Sequence, residues 1–310
     1  MYTPSGRIDP VTAVDVVGLT KTYRGKSAGK SMTGPSTTKA VDGLDLRIEL
    51  GEVFALLGPN GAGKSTTIEI LEGYRNRDSG EVKVLGVDPQ KGDAAWRSRI
   101  GIVLQSTKDL SELTVVESLA TFAALYPRPR LIDEVLDLVG LSDHADQRGS
   151  QLSGGLRRRL DVGLGILGRP ELLFLDEPTT GFDPEARRHF WSMIEGLRAE
   201  GTTILLTTHY LDEAEALADR VGVINHGALI ALDTPSRLGG RGKALATVSY
   251  RDSAGRLVEI ESDTPTQVVR ELASANLGEL AELKITRPSL EDTYLEMIGR
   301  EDERDDECNE

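Results

Sequence analysis

The sequence has 310 residues, of which 39% are hydrophobic and 28% charged, with a formal net charge of -14. This length buries a substantial core, as one large domain or as a large and a small one. The acidic balance excludes broad nucleic-acid binding, which needs a basic footprint, and the lone cysteine, Cys308, excludes an intramolecular disulfide and a Cys-based metal site.

No apolar run approaches the 18 or so residues of a membrane span, and the N-terminus lacks a basic-then-apolar signal, so a cytoplasmic chain is expected. Residues 1–13 show little periodicity and are expected to be flexible. Val14–Leu19 predicts an edge strand, followed by Tyr23, an aromatic that can stack on a base or pack half-buried. The Gly/Ser/Thr-rich residues 25–38 predict a surface loop, and Leu44, Leu46 and Ile48 alternate with polar residues as a half-exposed strand does.

The apolar run Val53–Leu57 predicts a buried strand, and Ile68–Leu71 the body of a helix. Between them lies Gly58-Pro59-Asn60-Gly61-Ala62-Gly63-Lys64-Ser65-Thr66, with two glycines four residues apart ahead of Lys and Ser. Chance produces this pattern in about one chain of this length in a hundred, so a mere Gly-rich turn is a weak explanation. Such a loop presents consecutive N–H groups at a helix N-terminus, where the dipole favours anions. Lys64 is placed to reach β- and γ-phosphates and the Ser65 hydroxyl to ligate Mg²⁺.

Short strands are expected at Glu81–Leu85 and Ile100–Leu104; Gln105 follows, either a surface polar residue or a ligand of Mg²⁺ or of an attacking water. Thr114-Val115-Val116-Glu117 is a capping box that opens an amphipathic helix, and Leu131–Val139 predicts another. These helices interrupt the strand-helix alternation and form an expected subdomain over about 106–170. Within it, Ser153-Gly154-Gly155 starts a helix running to Leu167 and offers a second anion-suited N-terminus.

Leu172–Leu175 predicts a strand buried on both faces that ends in Asp176-Glu177-Pro178, at the end of a strand where α/β sheets bind ligands. Asp176 is suited to hold Mg²⁺ through water and Glu177 to polarise a water for attack on phosphorus. Thr203–Thr207 predicts the next strand, with His209 just past its end, placed to contact a γ-phosphate. A helix at Leu211–Ala218 and a strand at Val221–Asn225 complete the expected 14–239 domain. Residues 240–300 change pattern: strands at Ala244–Tyr250 and Leu257–Glu261 flank a turn at 252–255. A helix over Gln267–Ala275, a strand near Leu283–Ile285 and a helix started by Pro288 follow, a small α+β accessory domain. The last ten residues hold seven Asp/Glu against one Arg, and 301–310 are expected to be a disordered acidic tail.

In this order the motifs resemble the nucleotide-binding subunit of an ATP-binding cassette transporter. Tyr23 matches its adenine-stacking position, Gly58–Thr66 the Walker A loop, Gln105 the Q-loop and Ser153-Gly154-Gly155 the signature. Leu172–Glu177 match Walker B, Gly181-Phe182-Asp183 the D-loop and His209 the switch histidine. The resemblance implies a P-loop NTPase fold of class α/β, a mixed sheet with flanking helices and an inserted helical subdomain. It implies ATP and Mg²⁺, with Ser65, Gln105 and Asp176 around the metal and Glu177, His209, Lys64 and Gln105 as the catalytic set. It also implies a head-to-tail homodimer in which Ser153, Gly154 and Gly155 close on ATP held by the other copy, Asp183 lies at the seam, and residues 106–148 dock on an integral membrane permease.

Residues 155–160, 208–214 and 287–292 are similar to the daunorubicin-resistance-type branch, which implies drug or natural-product export from the inner face of the cell membrane. Phe182 stands where that family has Leu, adding bulk expected at the dimer seam. Rival readings are an importer or membrane-remodelling ATPase, and a soluble ATPase for DNA repair or translation.

Overall fold

The computed structural model describes residues 12–24, 37–103, 112–276 and 280–308. The expected loop is outside these residues over 25–36, as are Gln105 and residues 1–11 of the N-terminal segment. The elements in chain order begin with β1 (Thr12–Arg24), β2 (Thr37–Glu49), β3 (Val53–Leu57), α1 (Lys64–Leu71), β4 (Ser79–Val84), α2 (Ala94–Arg97) and β5 (Ile100–Val103). There follow α3 (Val115–Ala123), α4 (Ile132–Val139), α5 (Gly154–Ile166), β6 (Leu172–Asp176), α6 (Pro184–Ala199), β7 (Thr203–Thr208), α7 (Leu211–Leu217), β8 (Arg220–Asn225) and β9 (Ala228–Asp233). The chain ends with β10 (Ala246–Arg251), β11 (Leu257–Ser262), α8 (Pro265–Asn276), β12 (Ala281–Thr286) and α9 (Leu290–Cys308). It divides into two compact units, Met1–Ile230 and Ala231–Glu310, so the division falls inside β9, ahead of position 239.

The first unit is built on a six-stranded sheet of order β5-β6-β7-β3-β8-β9. The pairs β5-β6, β6-β7, β7-β3 and β3-β8 are parallel. Each residue of β3 and β7 is buried, as continuous apolar runs require of strands covered on both faces. A second sheet, of order β2-β1-β4, is antiparallel. Here the structure corrects an expectation: β1 is the central strand, not an edge, because Val14 pairs with Ile48 on one side and with Val84 on the other. Ala13, Val14, Val16 and Leu19 are buried in it.

The two sheets share a core that includes Leu19, Ile48, Phe54, Leu71 and Phe174, with Ile68 and Ile70 of α1 among its members. Full burial of each such side chain contributes roughly 1.5–3 kcal/mol. The predicted capping box closes at α3: Glu117 N–H donates to Thr114 Oγ1 at 3.2 Å, and Thr114 N–H to Glu117 Oε2 at 2.9 Å. Gly140, at φ 65°, ends α4 in the left-handed conformation that most residues adopt only with strain. Arg130, nearly fully buried, ties this helical region to the end of α6 by pairing with Glu134 at 2.6 Å and with Glu200.

The second unit holds an antiparallel sheet of order β11-β10-β12. The expected turn is present, with Asp252 Oδ1 accepting the N–H groups of Ala254 and Arg256, both at 2.9 Å. In α9, Ser289 Oγ accepts Asp292 N–H at 3.0 Å while Asp292 Oδ2 accepts Ser289 N–H at 2.8 Å. This reciprocal cap supplies the costly nucleus of α9, which runs on to Cys308 through residues 301–308.

Candidate active site

The loop after β3 makes its turn with glycines that the fold leaves no choice over. Gly63 sits at φ 106°, and a Cβ there would collide with the Ala40 carbonyl; one on Gly58 would collide with the Ile224 carbonyl. Of the predicted loop residues, Gly58, Ala62, Gly63 and Lys64 are buried, Pro59 and Thr66 half-buried, and Asn60, Gly61 and Ser65 exposed. The Lys64 ammonium donates to the Gly58 carbonyl at 2.6 Å and to the Pro59 carbonyl at 3.0 Å. Burial pulls the Lys64 pKa below the usual lysine range, opposed by the charges of Glu177 and Asp176. The ammonium, the two carboxylates and the helix N-terminus thus share one electrostatic environment.

Strand order explains why. β7 lies between β3 and β6, with Leu57 aligned to Thr208 and Asp176 aligned to Thr207, so the three strand ends open on one crevice. Thr207 Oγ1 donates to Asp176 Oδ1 at 2.6 Å and accepts Glu177 N–H at 3.0 Å; that N–H also reaches the Thr207 carbonyl at 3.1 Å. Glu177 adopts φ 46°, a strained left-handed conformation for a residue with a side chain, fixed by these bonds. Its Oε2 lies 3.5 Å from the Thr180 hydroxyl and 3.5 Å from His209 Nδ1. The Glu177 side chain is 16% exposed and that of His209 44%, so the pair borders solvent from a sheltered position.

Ser153 caps α5, its hydroxyl accepting Leu156 N–H at 3.3 Å. Gly154 and Gly155 are different from the loop glycines: a Cβ on either would meet nothing within 4 Å. Among the described residues, nothing in the packing requires glycine there. These residues border a cavity of about 630 Å³ whose other walls include Glu177, Gly181 and Asp183. Asp183 caps α6, accepting the N–H groups of Glu185 at 3.0 Å and Ala186 at 2.7 Å. Phe182 is only 9% exposed and packs edge-on against Phe190 with centroids 6.1 Å apart, while also bordering the same cavity. Tyr23 is half-buried near the end of β1, its ring 5.4 Å from the Arg75 guanidinium carbon and 5.8 Å from Lys21 Nζ.

Three contributors escape motif reading. Thr207 looks like one more member of a buried strand, yet it bonds both acidic residues. Arg158, in a basic triplet that suggests a solvated face, is buried and donates to the carbonyls of Asp176 at 2.5 Å and Pro178 at 3.0 Å, bracing the turn from below. Glu72, just past α1, is buried, and its pKa is pushed up to about 8 by burial first and by the charge of Asp176 second. The only signal for either was its spacing on a helix.

The ABC transporter family profile matches residues 41–180. The chain is 38% identical to the daunorubicin/doxorubicin resistance ATP-binding protein of Streptomyces peucetius, over 94% of this chain and 93% of that protein. It is 36% identical to the Nod factor export ATP-binding protein I of Rhizobium johnstonii, over 98% and 100% of the two chains. With the linearmycin resistance ATP-binding protein of Bacillus subtilis it shares 35% identity over 84% and 94%. Among solved structures, the ATP-binding subunit of an ABC transporter aligns with TM-score 0.62 and 26% identity, over 73% of this chain and 91% of that one. A dimeric ATP-binding cassette in a post-hydrolysis state, bound to ADP and Pi, aligns with TM-score 0.64 over 71% and 98%; at 23% identity this is a likeness of fold.

Proposed function

The chain belongs to the ATP-binding proteins of ABC transporters, and from that premise we propose that it is the ATP-hydrolysing subunit of an exporter for a drug, antibiotic or other hydrophobic small molecule. The observation that carries the reading is the convergence of three adjacent strand ends, which sets Asp176, Glu177 and His209 beside the loop that holds Lys64. The names of the relatives support the outward direction, two being resistance proteins and one an export protein.

In this reading the Gly58–Thr66 amides and Lys64 hold the β- and γ-phosphates of ATP, and Tyr23 stacks on adenine. The donors suit Mg²⁺, a hard cation that takes a few protein oxygens beside phosphate and water: Ser65 is exposed at the start of α1, and Asp176 is oriented by Thr207. Ser65, Asp176 and Gln105 would hold it, Gln105 lying outside the described residues. Bound there, the ion neutralises charge on the phosphate oxygens. Glu177 takes a proton from the attacking water, a role typically worth about 10²–10⁴-fold in rate. His209 contacts the γ-phosphate and, 3.5 Å from Glu177 Oε2, steadies that carboxylate. The rest of the acceleration is charge stabilisation and positioning.

Ser153, Gly154 and Gly155 close on the ATP of a second copy, with Asp183 near the seam. The open space at both glycines supports this, since a glycine that its own fold does not need suits close approach by something outside the chain. Residues 106–148 dock on an integral membrane permease, which places the subunit on the inner face of the membrane; among the described residues no helix is long and apolar enough to cross it. The test is ATP-driven efflux from vesicles containing this chain and a candidate permease. Cargo moving outward only with both chains and ATP is the expected result; ATP turnover with no dependence on any membrane partner contradicts the transport role.

A further inference from the structure

Arg187 stands one turn into α6, the helix that Asp183 caps, and grips the segment that follows His209. Its Nη1 donates to Asp212 Oδ2 at 3.0 Å, and its guanidinium carbon lies 4.5 Å from the centroid of the Tyr210 ring. Tyr210 packs in turn on the imidazole of His209, with centroids 4.1 Å apart and planes inclined by 39°. His209 Nδ1 is 3.5 Å from Glu177 Oε2. A continuous run of side chains therefore leads from the helix behind Asp183 to the carboxylate at the strand end.

The neighbouring elements leave this run few substitutes. Tyr210 occupies the N-cap position of α7 without a side-chain cap bond; its N–H is held by Thr208 Oγ1 at 3.0 Å, which fixes its backbone and leaves the ring to be set by Arg187 and His209. Glu213, on the same helix, is fully buried, and burial raises its pKa, with the charge of Arg187 opposing the shift. The His209 side chain is 44% exposed, and among its described contacts it has the Tyr210 ring on one side and Glu177 on the other. A half-exposed imidazole keeps two free side-chain torsions unless a neighbour fixes its plane.

We infer that Tyr210 and Arg187 are positioning residues: the Arg187–Tyr210 stack fixes the plane of the His209 ring and links it to the helix that begins at Asp183. The inference deepens the ATPase reading and rests on it for its kinetic consequence, but its structural core is independent of turnover. Lys would keep a charge over the tyrosine face but lose the planar guanidinium that engages Tyr210 and Asp212 together.

The test uses the full chain with isotopically labelled histidine. The Tyr210 ring current should displace the His209 ring protons upfield; Tyr210→Ala should abolish that displacement, Tyr210→Phe should keep it, and Arg187→Ala should reduce it. In ATPase assays normalised to bound nucleotide, Tyr210→Ala and Arg187→Ala should each lower kcat about tenfold. KM for ATP should stay within about twofold, because only the orientation of His209 is disturbed. Tyr210→Phe should restore kcat and Arg187→Lys should not, while the Tyr210→Ala/Arg187→Ala double variant should cost no more than the worse single one. An undisplaced His209 signal in the wild type, wild-type kcat in Tyr210→Ala, or full additivity in the double variant overturns the inference. Glu177→Gln in the same series reports on the ATPase reading separately, and the proton shifts do not depend on that outcome.

Discussion

The Thr207 hydroxyl donates to Asp176 Oδ1 at 2.6 Å, and through the same oxygen it accepts the N–H of the residue that follows Asp176. One buried hydroxyl on β7 thus orients the Asp176 carboxylate at the end of β6 and the backbone of Glu177 just after it. Thr207→Val keeps the shape and removes the hydroxyl. It should cost about 1–3 kcal/mol of stability, the penalty for stranding a buried polar group. Turnover should fall while ATP affinity changes little; a variant with wild-type melting and wild-type kcat contradicts this arrangement.

Glu177→Gln retains size and backbone bonds but cannot take a proton. It should bind ATP, accumulate as an ATP-dependent dimer in light scattering, and lose about 10²–10⁴-fold in turnover. Wild-type turnover would remove Glu177 as the base. Lys64→Ala, by contrast, should weaken ATP binding itself, since Lys64 is buried at the loop whose carbonyls it spans. Unchanged ATP affinity in a titration counts against the loop's role.

Gly154→Ala and Gly155→Ala separate folding from assembly. Each Cβ enters open space, and Ala favours a helix over Gly by about 1 kcal/mol, so both variants should melt at or above the wild-type temperature. Both should nonetheless impair ATP-driven dimerisation and turnover if, as proposed, the second copy's nucleotide approaches these positions. Dimerisation unaffected by either change speaks against a signature that acts across an interface.

Glu72 gives a pH dependence of definite sign. Its pKa is about 8 in the folded chain against an ordinary 4.5, so the folded state holds this proton more tightly than the unfolded state does. The contribution is fully present below the ordinary value and is lost as pH rises toward and through 8, at up to about 1.4 kcal/mol per pH unit. Melting of the wild type should therefore decline relative to Glu72→Gln between pH 5 and 8. Parallel melting curves for the two across that range contradict a buried, protonated Glu72.

The sequence disclosed the parts of the fold that local pattern controls. The apolar runs of β3, β6 and β7, the Thr114–Glu117 capping box and the glycines at 58 and 63 are local facts, and each motif at a strand end followed from them. What depends on distant pairing stayed hidden. Whether β1 is an edge or a centre is decided by Val84, some seventy positions away in the register, and the packing of Phe182 by Phe190. The strain at Glu177 and the bracing by Arg158 and Thr207 also escaped, because they arise where three chain segments meet and none carries the pattern alone.

Glu177 both contacts His209 and lines the cavity bounded by Ser153 to Gly155. If that second boundary is completed only by another copy's nucleotide, the same carboxylate takes two inputs, and bond cleavage waits until both are present. The site then behaves as a logical conjunction, which keeps a lone subunit from consuming fuel before there is a machine to drive.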